Sequence, residues 1–540
     1  MKKLLLSVFL VAIFSCADKK ENLSEGYVVQ DTISKQEERE YKVLDSKFVS
    51  RDSVMAPFAE ALLEFSEERY SEIKPLIFDK NIPEIQNAIA AGKLSYEDIS
   101  LFYLKRIQKF DRNNELSLNS VISLNPNLLK EAGEKDIQEN TQNHPIFGIP
   151  LLLKDNINTE NMPTTAGAVA LQQNNTDDAF IVEKLKENGA LILGKANLSE
   201  WAYFFCGDCP SGYSAVGGQT LNPYGRKILD TGGSSSGSAV AVAANLAPVA
   251  VGSETSGSIL SPSSQNSLVG LKPTIGVLSR GGIIPISSTL DTPGPITKSV
   301  VDNAILLSAM AGNDAKDPVS KNIEVISNYA APLQSASLNG KRFGAIKALM
   351  EDSLYVRAIT DLRNAGAQVV EFEAEDLDLP NFTRLLNLDM KKDLPEYFRN
   401  YGGEVEVTDV TSVYGYNEKD SILRAPYGQA LFEGIMKDSA TPEEFTAIKD
   451  TLKRNGKQFF DVPMQEHNLD GIISINNYHA GFAAVAHYPA ITVPMGYAEN
   501  NAPEGLTFFA KPFEEQELLK WAKAYEETSQ RRVTPENYND

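Results

Sequence analysis

Three short segments of this 540-residue chain carry residue types that could together break an acyl bond. The run at 252–262 reads Gly-Ser-Glu-Thr-Ser-Gly-Ser-Ile-Leu-Ser-Pro, and the run at 231–238 reads Thr-Gly-Gly-Ser-Ser-Ser-Gly-Ser. A lone lysine, Lys154, ends an apolar stretch in Gly-Ile-Pro-Leu-Leu-Leu-Lys-Asp-Asn at 148–156. A serine needs a base before it acts as a nucleophile, and a lysine in apolar surroundings loses its proton readily enough to be that base.

The two glycine-serine runs could supply the other groups that such a reaction needs. Consecutive glycines allow a sharp turn that exposes backbone N–H groups, and serine hydroxyls can pass a proton along hydrogen bonds. A helix beginning near Gly237 would point its positive end at developing negative charge, and the turn at 255–258 could present N–H groups to an oxyanion. Alone, each segment is more typical of a loop, a turn or a surface lysine paired with Asp155. Their combination favours a catalytic site.

Histidine, the usual base for a serine nucleophile, is scarce in this chain. The four histidines are His144, His467, His479 and His487, and none adjoins a glycine-serine run. The residues at 233–237 match the Gly-x-Ser-x-Gly nucleophile elbow, but the Arg-Lys-Ile-Leu-Asp before them makes a poor buried strand. A hydrolase that uses a distant histidine stays open as an alternative.

The bulk composition is that of a soluble folded protein, with 42% hydrophobic and 23% charged residues. The formal net charge of −21 argues against nucleic-acid binding, because phosphate recognition needs clustered lysine and arginine. Cys206 and Cys209 could form a local disulfide in an exported protein, or they could be two small loop residues. No neighbouring His or Cys in the sequence completes a zinc site with them.

The N-terminus has the pattern of a secretory signal. Two lysines precede a mostly apolar run from Leu4 to Phe14, which is too short for a stable bilayer anchor. Cys16 follows a small residue and resembles the lipobox of bacterial lipoproteins, which implies lipid attachment at Cys16. We therefore expect residues 1–16 to be a lipoprotein-type signal peptide. The protein would then be exported and held in a bacterial cell envelope, periplasmic or surface-facing, by a lipid anchor only. An ordinary signal peptide with an incidental cysteine is the alternative.

The rest of the chain alternates between short strands and helices. We predict a polar tether and N-terminal lead-in at 17–72, followed by one folded domain at 73–540. Ser95 and the two acids after Tyr96 predict a helix start, and apolar residues up to Phe110 share one face of that helix. The alternation indicates an α/β fold with a mixed or largely parallel sheet. The predicted strands are 149–153, 190–193, 249–251, 343–346, 369–372, 471–474 and 490–493, with helices at 178–188 and 239–246.

On these segments the chain resembles the amidase signature family, whose catalytic triad is Ser–cis-Ser–Lys. The run 232–237 is similar to the family's glycine-serine motif, 257–259 to the end of its nucleophile motif, and 148–155 to its lysine motif. The resemblance implies that Lys154 is the base, Ser234 a relay on a cis peptide, and Ser258 the acylated nucleophile. It also implies an oxyanion hole from the backbone of Thr255, Ser256 and Gly257, with Ser235 supporting the network. The implied fold is a mixed central β-sheet covered by α-helices on both faces, with no cofactor and no metal.

The reaction implied is hydrolysis of a carboxylic amide, non-peptide or at a peptide C-terminus, to a carboxylate and ammonia or an amine. Glu254 replaces the commoner Asp and Leu260 stands where many members carry Arg, as in the branch that includes bacterial peptide amidase. We therefore expect a small-molecule or peptide amide as substrate. The alternatives are an inactive binding lipoprotein of the same fold and the amide-forming chain of a glutamyl-tRNA amidotransferase. Specificity loops are expected within 375–470, and neither the substrate nor the oligomeric state can be read from their pattern.

Overall fold

A mixed β-sheet of 11 strands is the frame of the computed structural model, which describes residues 37–112, 114–138 and 144–540. The strands are β1 Val121–Leu124, β2 Pro150–Lys154, β3 Leu191–Ala196, β4 Tyr213–Ser214, β5 Gly218–Gln219, β6 Val249–Glu254, β7 Val269–Lys272, β8 Thr292–Thr297, β9 Arg342–Ile346, β10 Gln368–Phe372, β11 Gly471–Ile475, β12 Ala490–Tyr497 and β13 Pro503–Phe509. The order across the sheet is β1-β3-β2-β6-β8-β7-β12-β13-β11-β9-β10, and β4 and β5 form a separate two-stranded sheet. β2 is parallel to β3 and β6, and β9 is parallel to β10 and β11, whereas the other neighbours are antiparallel. The predicted mixed sheet is confirmed.

Helices cover both faces of this sheet. They are α1 Arg51–Met55, α2 Ala59–Glu64, α3 Glu67–Ile77, α4 Ile82–Ala90, α5 Tyr96–Phe110, α6 Leu128–Ile137, α7 Phe180–Glu187, α8 Ser236–Ala243, α9 Leu260–Gln265, α10 Val300–Met310, α11 Ser353–Asn364, α12 Phe382–Asn400, α13 Val410–Glu418, α14 Ser421–Arg424, α15 Ala430–Lys437, α16 Pro442–Glu466, α17 Ala480–Ala486 and α18 Glu515–Ser529. α5 begins as predicted, because Ser95 and Asp98 each accept the backbone N–H of the other in a capping box.

The three strands nearest the predicted site are buried along their whole length. β2, β3 and β6 expose no residue to solvent, as expected for neighbouring parallel strands covered on both faces. Such strands need continuous apolar residues instead of an alternating pattern. For this reason the apolar run at 149–153 predicts β2 to within one residue.

Residues 37–72 fall in the range that we predict as tether and lead-in, and they are packed on the body. Tyr41 and Leu44 contact the main hydrophobic core, and Asp45 forms a β-bridge with Gly218. α1, α2 and α3 follow directly. The apolar residues in this stretch are widely and irregularly spaced, so no helical or strand period in the sequence revealed the contacts.

The predicted signal peptide and its Cys16 lie outside the described residues. Over the ranges that the structure describes, no helix is both long enough and apolar enough to cross a membrane. The lipid anchor stays a prediction.

A second buried cluster lies under helices α12 to α16, within the region where we expect specificity loops. Met390 and Phe432 from these helices pack with Trp201 and Phe205 of the segment that follows β3. In the same segment Cys206 and Cys209 are joined by a disulfide, which decides between the two alternatives for this pair. The specificity region is therefore in direct contact with the chain that leads towards the glycine-serine run.

Candidate active site

Strand order brings the three predicted segments together. β2 ends at Lys154 and its parallel neighbour β6 ends at Glu254, with Leu153 opposite Val251. Because parallel strands end at the same edge of a sheet, Lys154 lies beside the turn that carries Ser258. The glycine-serine run reaches this edge just before α8.

Lys154 is fully buried and its amine contacts only neutral oxygens. Nζ lies 2.8 Å from the Ser234 hydroxyl, 2.9 Å from the Ser253 carbonyl and 2.9 Å from the Ser253 hydroxyl. Asp155 is not its partner, since that carboxylate lies 3.4 Å from the amine of Lys195. The alternative of a surface lysine paired with Asp155 is therefore wrong.

Burial lowers the pKa of Lys154 to about 7. Desolvation penalises the ammonium form, and the carboxylates of Asp291 and Glu254 partly oppose this effect. Burial also raises the pKa of Asp291, to about 6. A substantial fraction of Lys154 is then neutral near pH 7, which is what a general base requires.

Ser234 and Ser235 tie the glycine-serine run to both neighbours. The Gly233–Ser234 peptide is cis, as the resemblance implies, and the Ser234 carbonyl accepts the Ser199 N–H at 3.0 Å. The Ser235 hydroxyl donates to the Ser253 carbonyl at 3.1 Å, and the Ser235 N–H donates to the Ser258 carbonyl at 3.2 Å. Ser235 thus joins the relay segment to the nucleophile segment through its backbone.

Ser258 is the most accessible member of the predicted triad. It is 9% exposed, whereas Lys154 and Ser234 are 0% exposed. Its hydroxyl has no hydrogen-bond partner among the described residues, so the link between the two serine segments is the one through Ser235. The structure therefore places Lys154 and Ser234 in contact and holds Ser258 next to them with its hydroxyl unengaged.

The turn from Thr255 to Gly257 has backbone groups to spare. Within the described ranges, none of the N–H groups of residues 255–258 donates to a protein acceptor. Gly257 has φ of +87°, and a Cβ there would lie 2.9 Å from Nδ2 of Asn477, so glycine is required at this position. Glu254 braces the other side of the turn by accepting the N–H groups of Ile259 and Leu260 at 2.7 and 3.0 Å.

Three side chains at the site had no role assigned from the sequence. Ser253 and Asn156 lie inside the runs that mark the site, and their positions at the ends of β6 and β2 were the available signal. Asp291, which accepts the Thr255 hydroxyl at 2.6 Å, comes from the segment before β8 and had no signal. It also accepts the N–H groups of Ile286 and Ser287, so it holds a wall of the site in place.

The histidine alternative receives no support from the positions of the buried histidines. His479 shares a hydrogen bond with the Ser474 hydroxyl at 2.6 Å, and burial lowers its pKa to about 4. Burial lowers the pKa of His487 to about 4 as well. Among the described residues, no group of three His, Cys, Asp or Glu side chains could hold a metal ion.

A cavity of about 240 Å³ opens beside Ser253 and Thr255. The charged groups in its wall mostly have partners: Arg280 pairs with Asp317 at 2.6 Å, and Asp393 accepts the Ser288 N–H at 2.6 Å. The remaining lining is largely apolar and includes Ile283, Ile284, Ile286, Pro293 and Tyr397. The cavity is therefore suited to an uncharged apolar group next to the candidate oxyanion turn.

Comparisons with known proteins agree with this geometry. The family model described as "Amidase" matches residues 98–425. A probable amidase of Arabidopsis thaliana is 34% identical over 483 residues, covering 85% of this chain and 92% of the relative. One chain of the chloroplastic/mitochondrial glutamyl-tRNA(Gln) amidotransferase of Zea mays is 30% identical over 503 residues, covering 83% and 89%.

Two solved structures are similar over nearly their whole length. An amidase family protein from Bacillus anthracis superimposes with a TM-score of 0.87 at 39% identity, covering 92% of this chain and 99% of that one. Native peptide amidase from Stenotrophomonas maltophilia gives a TM-score of 0.79 at 38% identity, covering 85% and 98%. The chain therefore belongs to the amidase signature family and is an amide hydrolase of that family.

Proposed function

We propose that the protein is an exported amidase that hydrolyses a carboxylic amide through an acyl-enzyme on Ser258. Lys154 acts as the base and Ser234 as the relay between base and nucleophile. The observation that carries the proposal is the 2.8 Å contact between Lys154 Nζ and the Ser234 hydroxyl, in surroundings that favour the neutral amine.

The reaction proceeds in two halves that share one proton path. In the first, Ser234 gives its proton to Lys154 and takes the proton of Ser258, whose oxygen attacks the amide carbon. Collapse of the tetrahedral intermediate breaks the C–N bond, and the proton returns through Ser234 to the departing nitrogen. In the second half, water loses a proton along the same path, attacks the ester and releases the carboxylate and free Ser258.

The oxyanion of both intermediates is bound by the turn before Ser258. Backbone N–H groups of Thr255, Ser256 and Gly257 are unengaged by protein acceptors in the described residues, which leaves them free for the substrate oxygen. Loss of one such donor in other enzymes costs roughly 10²–10³ in rate. Fixed backbone donors supply this stabilisation with no reorganisation during the reaction.

The substrate that we propose is an uncharged amide with a bulky apolar group next to the scissile bond, such as a peptide C-terminal amide. The cavity beside Thr255 supports an apolar group of that size, and the similarity to a peptide amidase supports a peptide amide. Export and lipid anchoring are proposed on the signal pattern that ends at Cys16.

The two alternatives predict different behaviour. A tRNA-amidating enzyme would need a basic surface for nucleic acid, and the net charge of −21 does not favour one. An inactive binding lipoprotein would have no need for a buried, neutral lysine against a serine hydroxyl, because burying that amine without function costs stability.

Release of ammonia from a panel of amides tests the proposal. N-acetylated phenylalaninamide, leucinamide, glycinamide and aspartamide would be compared in wild type and in Ser258→Ala. We expect turnover by the wild type alone, with the two apolar amides preferred by about tenfold or more over the others. No turnover of any amide by folded protein would contradict the proposed activity, and equal rates for all four would contradict the role of the cavity.

A further inference from the structure

The hydrogen atoms around Lys154 can be counted, and the count points to Ser253. A neutral lysine amine has two N–H donors and one lone pair, but Nζ of Lys154 has three oxygen neighbours. The Ser253 carbonyl can only accept, so it takes one N–H. The two remaining neighbours are the hydroxyls of Ser253 and Ser234, and one of them must donate to the lone pair.

Asn156 decides which hydroxyl donates. Its Oδ1 lies 3.3 Å from the Ser253 hydroxyl and accepts that hydrogen, while its Nδ2 donates to the same oxygen at 3.0 Å. Nδ2 also donates to the Ile284 carbonyl at 3.3 Å, which fixes the amide orientation because the reverse would set two acceptor oxygens against each other. With its hydrogen directed to Asn156, Ser253 can only accept from Lys154.

We propose that Ser253, oriented by Asn156, is a positioning residue that directs the lone pair of Lys154 onto the Ser234 hydroxyl. The inference rests on the proposed function and deepens it. The two N–H groups of the amine are held by the carbonyl and hydroxyl of Ser253, so the lone pair has one direction left. That direction is the 2.8 Å contact with Ser234.

The same arrangement suits the amine after it takes the proton. An ammonium has three N–H donors, and the three oxygens already in place then accept all of them, with no heavy atom moving. A site that satisfies both protonation states without rearrangement lowers the reorganisation that proton transfer would otherwise require.

The Ser253 hydroxyl also affects how readily Lys154 is protonated. A hydroxyl accepts more strongly from an ammonium than from an amine, so its loss disfavours the charged form of Lys154. The charged groups that act on Lys154 are Asp291 and Glu254, and Asp155 is engaged by Lys195. None of these carboxylates forms a hydrogen bond with Ser253 within the described residues, so they stay in place when the hydroxyl is removed.

Kinetics of Ser253→Ala in the full-length chain test the proposal. We expect kcat to fall about 10- to 100-fold with KM nearly unchanged, because the base is misdirected while substrate contacts remain. The acid limb of kcat/KM should move to lower pH by about one unit. Ser253→Thr, which restores a hydroxyl, should recover most of kcat, and Asn156→Ala should lower kcat by less than Ser253→Ala does.

Ser238→Ala is the matched control, since it removes another fully buried hydroxyl that bonds the Val251 carbonyl at 3.3 Å and does not contact Lys154. This variant should keep the wild-type kcat and pH profile. Wild-type kcat and an unmoved acid limb in Ser253→Ala would overturn the proposal, as would a fall in kcat that Ser238→Ala reproduces.

A second readout separates this inference from the proposed function. The pH dependence of Ser258 labelling by a fluorophosphonate needs an activated serine but not the correct amide. If no amide in the panel is turned over, a labelling profile that moves to lower pH in Ser253→Ala still supports the positioning role. A labelling profile identical to that of wild type overturns it.

Discussion

Two buried lysines on neighbouring strands have different partners and therefore different uses. Lys154 ends β2, and Lys195 lies on β3 opposite Leu153; both are 0% exposed. Burial lowers the pKa of Lys154 to about 7 and that of Lys195 to about 8. Lys154 contacts neutral oxygens, whereas Lys195 lies 3.4 Å from the carboxylate of Asp155.

The comparison teaches that burial alone does not make a lysine a base. A carboxylate in contact stabilises the ammonium form, so Lys195 is held as the cation of an ion pair and braces the turn after β2. Lys154 has hydroxyls and a carbonyl instead, which serve amine and ammonium alike. The partner set therefore distinguishes the proposed base from the structural lysine one strand away.

The largest effect on rate is expected from Lys154→Met. Removal of the base should lower kcat by about 10³-fold, because Ser258 then lacks the group that takes its proton. The protein should stay folded, since a desolvated amine is replaced by an apolar side chain of similar length. Steady-state amide hydrolysis and thermal unfolding measure the two quantities. A variant that kept more than a tenth of the wild-type kcat would break the comparison.

The largest effect on stability is expected from Lys195→Met. This change leaves the buried carboxylate of Asp155 without its cation, and the free energy of unfolding should fall by about 3–5 kcal/mol. The double variant Lys195→Met/Asp155→Asn should recover part of the loss, because no unpaired charge remains. Denaturant unfolding measures both, and equal stability of Lys195→Met and Lys154→Met would contradict the different roles.

The pH dependence of kcat/KM sharpens the comparison. Lys154 must be neutral to act, so the rate should rise about tenfold per pH unit below its pKa and level off above about 7. A rate that fell as pH rose through this range would contradict a lysine base.

The smallest effect is expected from Asp291→Asn. The carboxylate of Asp291 raises the pKa of Lys154, so its neutralisation should move the acid limb of the pH profile to lower pH. The amide can still accept the Thr255 hydroxyl. Movement of the limb to higher pH would show that Asp291 acts on the site in another way.

The parts of the fold that the sequence predicted are those with unbroken apolar runs. β2, β3 and β6 are buried on both faces and consist of such runs, whereas β8 reads Thr-Pro-Gly-Pro-Ile-Thr and gives no strand signal. β8 nevertheless pairs with β6 along its whole length, because tertiary contacts override the local preference of proline and glycine. The packing of residues 37–72 was missed for a similar reason.

The site divides in the same way. Residues within the glycine-serine runs and the lysine run are recognisable because their types and spacing are unusual. Asp291 is not, because its contact with Thr255 exists only once β8 lies beside β6. Ser253 lies within a recognisable run, but its role depends on the orientation of Asn156, which only coordinates reveal.

Intact-mass labelling with a fluorophosphonate tests the central claim most directly. The full-length chain would be treated alongside Ser258→Ala, Lys154→Met and Lys195→Met, each at a protein concentration where it is folded. We predict one adduct in wild type and in Lys195→Met, and none in Ser258→Ala or Lys154→Met. Absence of an adduct from folded wild type, or labelling of Lys154→Met at the wild-type rate, would contradict a serine nucleophile activated by Lys154.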